Sequence, residues 1–135
     1  MISSYGSQKD YDAMAGKDTG EPAWSAEDFA ALGQFMAAWN KELEESGELV
    51  ATYGLLEPVL TRRVASPSGA AVVTDGPYAE TQEVLAGFWI VGCDSFDRAT
   101  EIAARLNDAP VSEHIRARAY ADVRPIAESR HDLEA

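Results

Sequence analysis

Residues Ala86–Gly92 read AGFWIVG. The run is nearly all apolar and rich in aromatic and β-branched residues, which predicts a β-strand. Trp89 lies between Phe88 and Ile90, so both faces of that strand carry bulky apolar side chains and both must be covered. A helix is expected directly after it. Asp94 or Ser95 serves as N-cap, Phe96, Ala99, Ile102, Ala103 and Leu106 make one apolar face, and Asn107 and Pro110 end it. Further on, Ala119–Ile126 alternates Ala119, Ala121 and Val123 with Tyr120, Asp122 and Arg124, the period of a strand, and Pro125 marks its end or an edge.

Upstream, Ser25 and Asp28 have the spacing of a capping box, with Asp in place of the usual Glu or Gln. Phe29, Leu32, Phe35, Met36, Trp39 and Leu43 then recur at helical steps, and Gly47 is the expected stop. Leu49–Leu56, Leu60–Ala65 and Ala70–Thr74 read as strands, with a Pro67-Ser68-Gly69 turn between the last two. Ala79–Leu85 is read as one or two helical turns, Met1–Tyr5 as a short first strand and Glu128–Ala135 as a polar tail. The stretch Ser7–Pro22, with Gly16 and Gly20, reads as a loop or insertion. The order strand, helix, strands, strand, helix, strand fits one α+β domain over residues 1–135 with its core at about 25–126. Its arrangement is the ferredoxin-like split βαβ, with helices on one face of an antiparallel sheet. Nothing remains in the chain to cover the second apolar face of Ala86–Gly92. A second copy, packed sheet to sheet in a two-fold homodimer, is the simplest cover.

Composition narrows the function. The 135 residues hold 11 Lys plus Arg against 23 Asp plus Glu, a net charge of −12. Such a chain is a poor ligand for nucleic acid, which requires a basic face, and for an anionic membrane surface. The apolar run around Leu85–Cys93 is far shorter than the ~20 residues that span a bilayer. Met1–Asp12 lacks the basic start and apolar run of a signal peptide, and a lone Cys93 excludes an internal disulfide, so a cytoplasmic location is expected. No Cys or His spacing suits a metal, no glycine-rich loop suits a phosphate, and no cofactor is expected.

The segment Val72–Gly87, VVTDGPYAETQEVLAG, carries a motif. Asp75-Gly76-Pro77, Ala79-Glu80-Thr81, Glu83 and Gly87, followed by Phe88–Val91, resemble the signature of the DGPF-domain proteins of the YCII-related group. Tyr78 stands where that signature has Phe and Gln82 where it has Lys. Val123-Arg124-Pro125-Ile126 is similar to the family's closing strand. The resemblance covers about Ser25–Ile126. It implies a ferredoxin-like protomer in a dimeric α+β barrel, and relatives that include lactone isomerases, dehydrochlorinases and proteins linked to extracytoplasmic-function sigma factors. On the resemblance, the chain binds a small molecule in a pocket on the sheet face of a homodimer, with isomerase- or lyase-type chemistry open to it. The alternative is a non-catalytic regulatory or protein-interaction module.

The candidate site residues follow from the motif. Asp75 either caps the next turn with its carboxylate or stands at a pocket rim as proton acceptor. Tyr78, Glu80 and Thr81 follow it as binding candidates. Glu80 and Glu83, three apart, can divide acid and base roles or form a solvated face. Trp89 either walls a pocket for a partly apolar ligand or packs in the core. Arg124 either holds a ligand carboxylate or pairs with Asp122 or Asp75. Some YCII-type proteins use a His–Asp pair. The two histidines here, His114 in the loop Val111–Arg118 and His131 in the tail, are not near the start of a core strand, which speaks against such a pair.

Overall fold

A computed structural model describes residues 1–134. Strands β1 (Ile2–Gly6), β2 (Leu49–Gly54), β5 (Val84–Val91) and β6 (Ala121–Val123) form one sheet in the order β2-β5-β1-β6. Every neighbouring pair is antiparallel. Helices α2 (Ala26–Glu45) and α3 (Phe96–Ala104) connect β1 to β2 and β5 to β6. The expected ferredoxin-like α+β fold is therefore present. Strands β3 (Arg62–Ala65) and β4 (Val72–Asp75) stand apart from the main sheet as a hairpin of their own. Helices α1 (Gln8–Met14), α4 (Glu113–Arg116) and α5 (Arg130–Glu134) complete the chain.

Local chemistry sets these boundaries. At α2, Ser25 Oγ accepts from Asp28 N and Asp28 Oδ2 accepts from Ser25 N, the reciprocal capping box. Gly47, at φ +77°, follows the helix in the left-handed conformation that side chains disfavour. Gly87, in the middle of β5, has a different reason. A Cβ there would lie 3.1 Å from Tyr53 O and 3.5 Å from Ser4 Oγ, so the close approach of the neighbouring strands requires glycine.

The sequence reading requires three corrections. Residues 8–14 of the expected loop 7–22 are helix, because Ser7 and Asp10 form a second capping box of the same type as Ser25 and Asp28. Residues 79–83 contain a turn rather than helix, with Gln82 N donating to Ala79 O, and β5 starts directly after them at Val84. Asp75 therefore caps no helix. It ends β4, where its carboxylate meets Arg62 Nε at 3.1 Å, and Gly76 turns the chain with φ +55° and donates its N–H to Thr61 O.

The core lies on one face of the sheet. Ile2, Trp89, Trp39, Leu43, Ile102 and Ala103 are buried together, with Met36, Leu49, Val91 and Val123 packed around them. Ile2 pairs with both Trp89 and Val123 across the strands, which places all three on the helix side. The Trp39 and Trp89 rings meet with centroids 4.8 Å apart, and Trp89 Nε1 donates to Asn40 Oδ1 at 2.9 Å. The buried indole thus keeps its polar atom satisfied. Exposed ion pairs fasten α3 from outside: Arg98 meets Glu48 and Glu101, and Arg105 meets Glu42. The Arg98 guanidinium, with a further hydrogen bond from Ser46, holds the Glu48 carboxyl down to about 2.

The opposite face carries Ser3, Asp122, Phe88, Tyr53, Ile90 and Ala51, which pair with one another across the strands. No helix of the described residues covers it. Tyr53 is 66% exposed, and the Tyr53 and Phe88 rings stand 5.9 Å apart on the bare surface.

Removing the fully buried indole at the helix–sheet contact is expected to leave a large cavity. Trp39→Ala should lower unfolding stability by about 3–5 kcal/mol, read from urea denaturation followed by circular dichroism. A loss below about 1 kcal/mol, the scale of a surface change, would contradict the placement of Trp39 at the centre of the core.

Candidate functional site

The helices cover the sheet unevenly. Trp39 and Leu43, toward the C-terminal end of α2, pack on Ile2 and Trp89, while Met36 and Leu32, one and two turns before Trp39, face a cleft of about 770 Å³. Ser4, Ala86 and Ala121 of the sheet form its floor, α1 and the strap Ala15–Ser25 stand on one side, and the chain from Ala103 to Ala119 closes the other. Most of its lining surface is apolar, as small-molecule sites are. A register shift in β1–β5 after Ser4 leaves Ala86 unpaired, and its carbonyl accepts from Leu55 N at 2.8 Å and from the Tyr11 hydroxyl at 3.4 Å.

Charged groups gather where the strap meets the far wall. Glu21 Oε2 lies 3.1 Å from Arg118 Nη2 and 3.5 Å from His114 Nε2, and Glu21 Oε1 lies 3.7 Å from Lys9 Nζ. Arg118 Nη2 also stands 2.8 Å from Asp10 Oδ1, but out of line for a hydrogen bond. That contact is ionic, and the buried oxygen accepts no hydrogen bond among the described residues. His114 and Arg116 are held on α4, whose N-cap Ser112 accepts from Ile115 N. The Arg116 guanidinium donates to the carbonyls of Asn107 and Ala109.

Tyr11 completes the polar lining, while Tyr120 and Tyr5 stack at the β1–β6 edge on the face that carries Ser3 and Asp122. Tyr120 donates its hydroxyl to Glu83 Oε2 at 2.9 Å and stacks on Tyr5 at a centroid distance of 5.3 Å. The Glu83 carboxylate beside Tyr120, Asp122 beside Tyr5 and burial around Tyr11 each raise the phenol above its ordinary value. All three phenols therefore stay protonated at neutral pH and present neutral donors and ring faces. On α4, His114 backed by Glu21 is an imidazole–carboxylate pair, an arrangement that can accept and return a proton.

The motif residues lie elsewhere. Asp75 is bound to Arg62 on the exposed hairpin, and Tyr78 lies beneath the Arg63 guanidinium, 5.6 Å from carbon to ring centre. Glu80 gives its backbone carbonyl to Lys9 N, Thr81 sits in the exposed turn, and Trp89 is in the core. Arg124 exchanges backbone hydrogen bonds with Met1 at the end of β6 and has no ion pair among the described residues. None of these six lines the cleft, whereas Glu83 of the same motif does. Asp10, Glu21 and Arg118 were not singled out in the sequence, and His114 had been set aside.

The YCII-related domain matches residues 13–124. The chain belongs to that family. Its matched span runs from the end of α1 through β6, so it takes in most of the cleft as well as the sheet. A relative in Rhizobium meliloti (strain 1021), itself described as uncharacterised, is 32% identical over 105 residues, covering 78% of this chain and 81% of the relative. Within this YCII-related chain, the DGP segment is accounted for by the chain reversal at Gly76, just past the end of β4, and the ion pair at Asp75.

Glu21 is the clasp that holds the strap to both α1 and α4. Glu21→Ala should speed hydrogen exchange of the amides of Lys17–Trp24 while leaving those of β1 and β5 protected, measured by mass spectrometry. Global stability should fall by no more than about 1 kcal/mol, because partly exposed ion pairs contribute little each. Unchanged exchange in the strap would contradict the clasp.

Proposed function

We propose that this YCII-related protein binds a small, largely apolar molecule in the cleft between the sheet floor, the strap and α4. One observation carries the reading. An apolar cleft of about 770 Å³ opens on the helix side of the sheet, with a few polar groups converging at its wall. The reading keeps the expectation of a small-molecule pocket but places it away from Asp75, Tyr78, Glu80, Thr81, Trp89 and Arg124. If the bound molecule is turned over, by isomerase- or lyase-type proton transfer, His114 with Glu21 behind it is the group placed to move the proton.

We propose further that the partner of this chain is a second copy seated on the bare sheet face. Phe88, Ile90 and Tyr53 supply the apolar surface, as the need to cover β5 twice suggests. The cleft lies on the other side, so such a homodimer would leave it open.

The cleft is tested by filling it. Ala104 lines it from the exposed last turn of α3, outside the buried core. The neutral apolar probe N-phenyl-1-naphthylamine should brighten on binding the unaltered protein. Ala104→Trp should weaken that binding at least about tenfold, or about 1.4 kcal/mol, with the circular dichroism spectrum unchanged. Equal binding by the folded variant would overturn the site.

A further inference from the structure

Every residue of strands β3 and β4 is exposed. Val64 pairs with Val73 across the hairpin and Ala65 with Val72, so apolar side chains stand on both of its faces. Leu56, Val59 and Leu60, which lead into it, are exposed as well. A two-stranded ribbon is at best marginally stable in water unless it lies on another surface. The motif braces this ribbon at its base. Asp75 closes the open end on its cross-strand partner Arg62, Gly76 donates its N–H to Thr61 O at 2.8 Å, and Tyr78 lies beneath Arg63. Gln8 fixes the approach, accepting from Val59 N at 2.8 Å and donating to Glu57 Oε2 at the same distance. The DGP segment thus holds an apolar arm out from the body, and its valines stay in water until another surface covers them.

Three observations point to the same cover. The first is charge. From Pro58 to Thr74 the chain carries two arginines and no acidic residue, whereas the whole chain has a net charge of −12. An apolar arm of positive sign fits an acidic partner, and a second copy is one. The second is area. The four strands of the main sheet, about 4.8 Å apart and about 18 Å long on average, outline a face of roughly 350 Å². Ser3 and Asp122 make part of that face polar. A stable interface takes about 800 Å² from each partner, so the sheet face alone falls short. The third is position. The hairpin follows β2, whose Tyr53 belongs to the bare face, and the exposed Leu55, Leu56, Val59 and Leu60 join that face to the arm.

We propose that the β3–β4 hairpin is a dimerisation arm. Each copy lays the Val64–Val73 face of its arm on the other, and the DGP segment keeps the arm in place. A two-fold axis makes the exchange reciprocal, so each copy gives one arm and receives one. This rests on the second copy proposed above, and adds the element that grips it and a role for the motif.

Sedimentation equilibrium of the full-length chain and two arm variants tests this. Val64→Glu puts a carboxylate on the arm against an acidic partner and should raise the dimer dissociation constant at least about tenfold, with the circular dichroism spectrum unchanged. Val73→Thr keeps the β-branched shape that strands favour and removes only apolar surface, and should raise it at least about threefold. A benzoylphenylalanine placed at position 64 of the otherwise unaltered chain should, on illumination, give a covalent species of twice 14.6 kDa. An unaltered dimer whose folded variants associate as tightly as it does would overturn the arm, leave the sheet-face pairing standing and give the hairpin to a different protein. Links from position 64 only within its own chain would do the same. An unaltered chain that sediments as a single copy would overturn the pairing and this inference together.

Discussion

The structure turns on one strand that is apolar on both faces. β5 presents Trp89 and Val91 to the helices and Phe88 and Ile90 to the other side. Helices α2 and α3 can lie on only one face, and the meeting of Trp39 with Trp89 fixes which one and where. Because that contact sits on the half of the sheet around Ile2 and Trp89, the helices press down there and stand away from Ser4 and Ala86. The cleft is the space left over. Its position follows from where the large indoles were placed, and its depth from the small residues beneath it. The fold that makes the cleft also leaves the second face of β5 bare.

That geometry separates two surfaces which are easily taken as one. The DGP segment belongs to a hairpin standing apart from the sheet, with Val64 67% and Val73 58% exposed. Its polar residues are spent locally: Asp75 on Arg62, Tyr78 on Arg63. A carboxylate held by an exposed guanidinium across a hairpin is a sound structural device, and Asp75 does not line the cleft. The polar residues that do meet a pocket come from α1, the strap and α4, elements brought together by the fold and not by any one stretch of sequence. Glu21 reaches across 97 positions to Arg118, and Lys9 and His114 meet on the same carboxylate.

Local signals accordingly read well in the sequence and distant ones did not. Alternation in Ala119–Ile126, the apolar run of β5 and the Ser25–Asp28 cap all describe neighbours along the chain, and from them the ferredoxin-like order could be assembled. Helix α1 was equally legible, since Ser7 and Asp10 repeat the Ser25–Asp28 spacing, but the glycines at 16 and 20 drew the whole segment 7–22 toward a loop. The turn at Gly76 was anticipated from Asp75-Gly76-Pro77, whereas the role of Gly87 became clear only through its approach to Tyr53 O. His114 was set aside because it lies outside the core strands. What brings it to the cleft is a short capped helix, α4, meeting a strap far earlier in the chain, and no periodicity records such a meeting.

The bare outer face of β5, with Phe88, Ile90 and Tyr53, calls for cover by another copy of the chain. Sedimentation equilibrium of the full chain at micromolar concentration measures this directly. A mass near twice 14.6 kDa is the predicted result. A folded single-chain species of 14.6 kDa, stable across that concentration range, would contradict it.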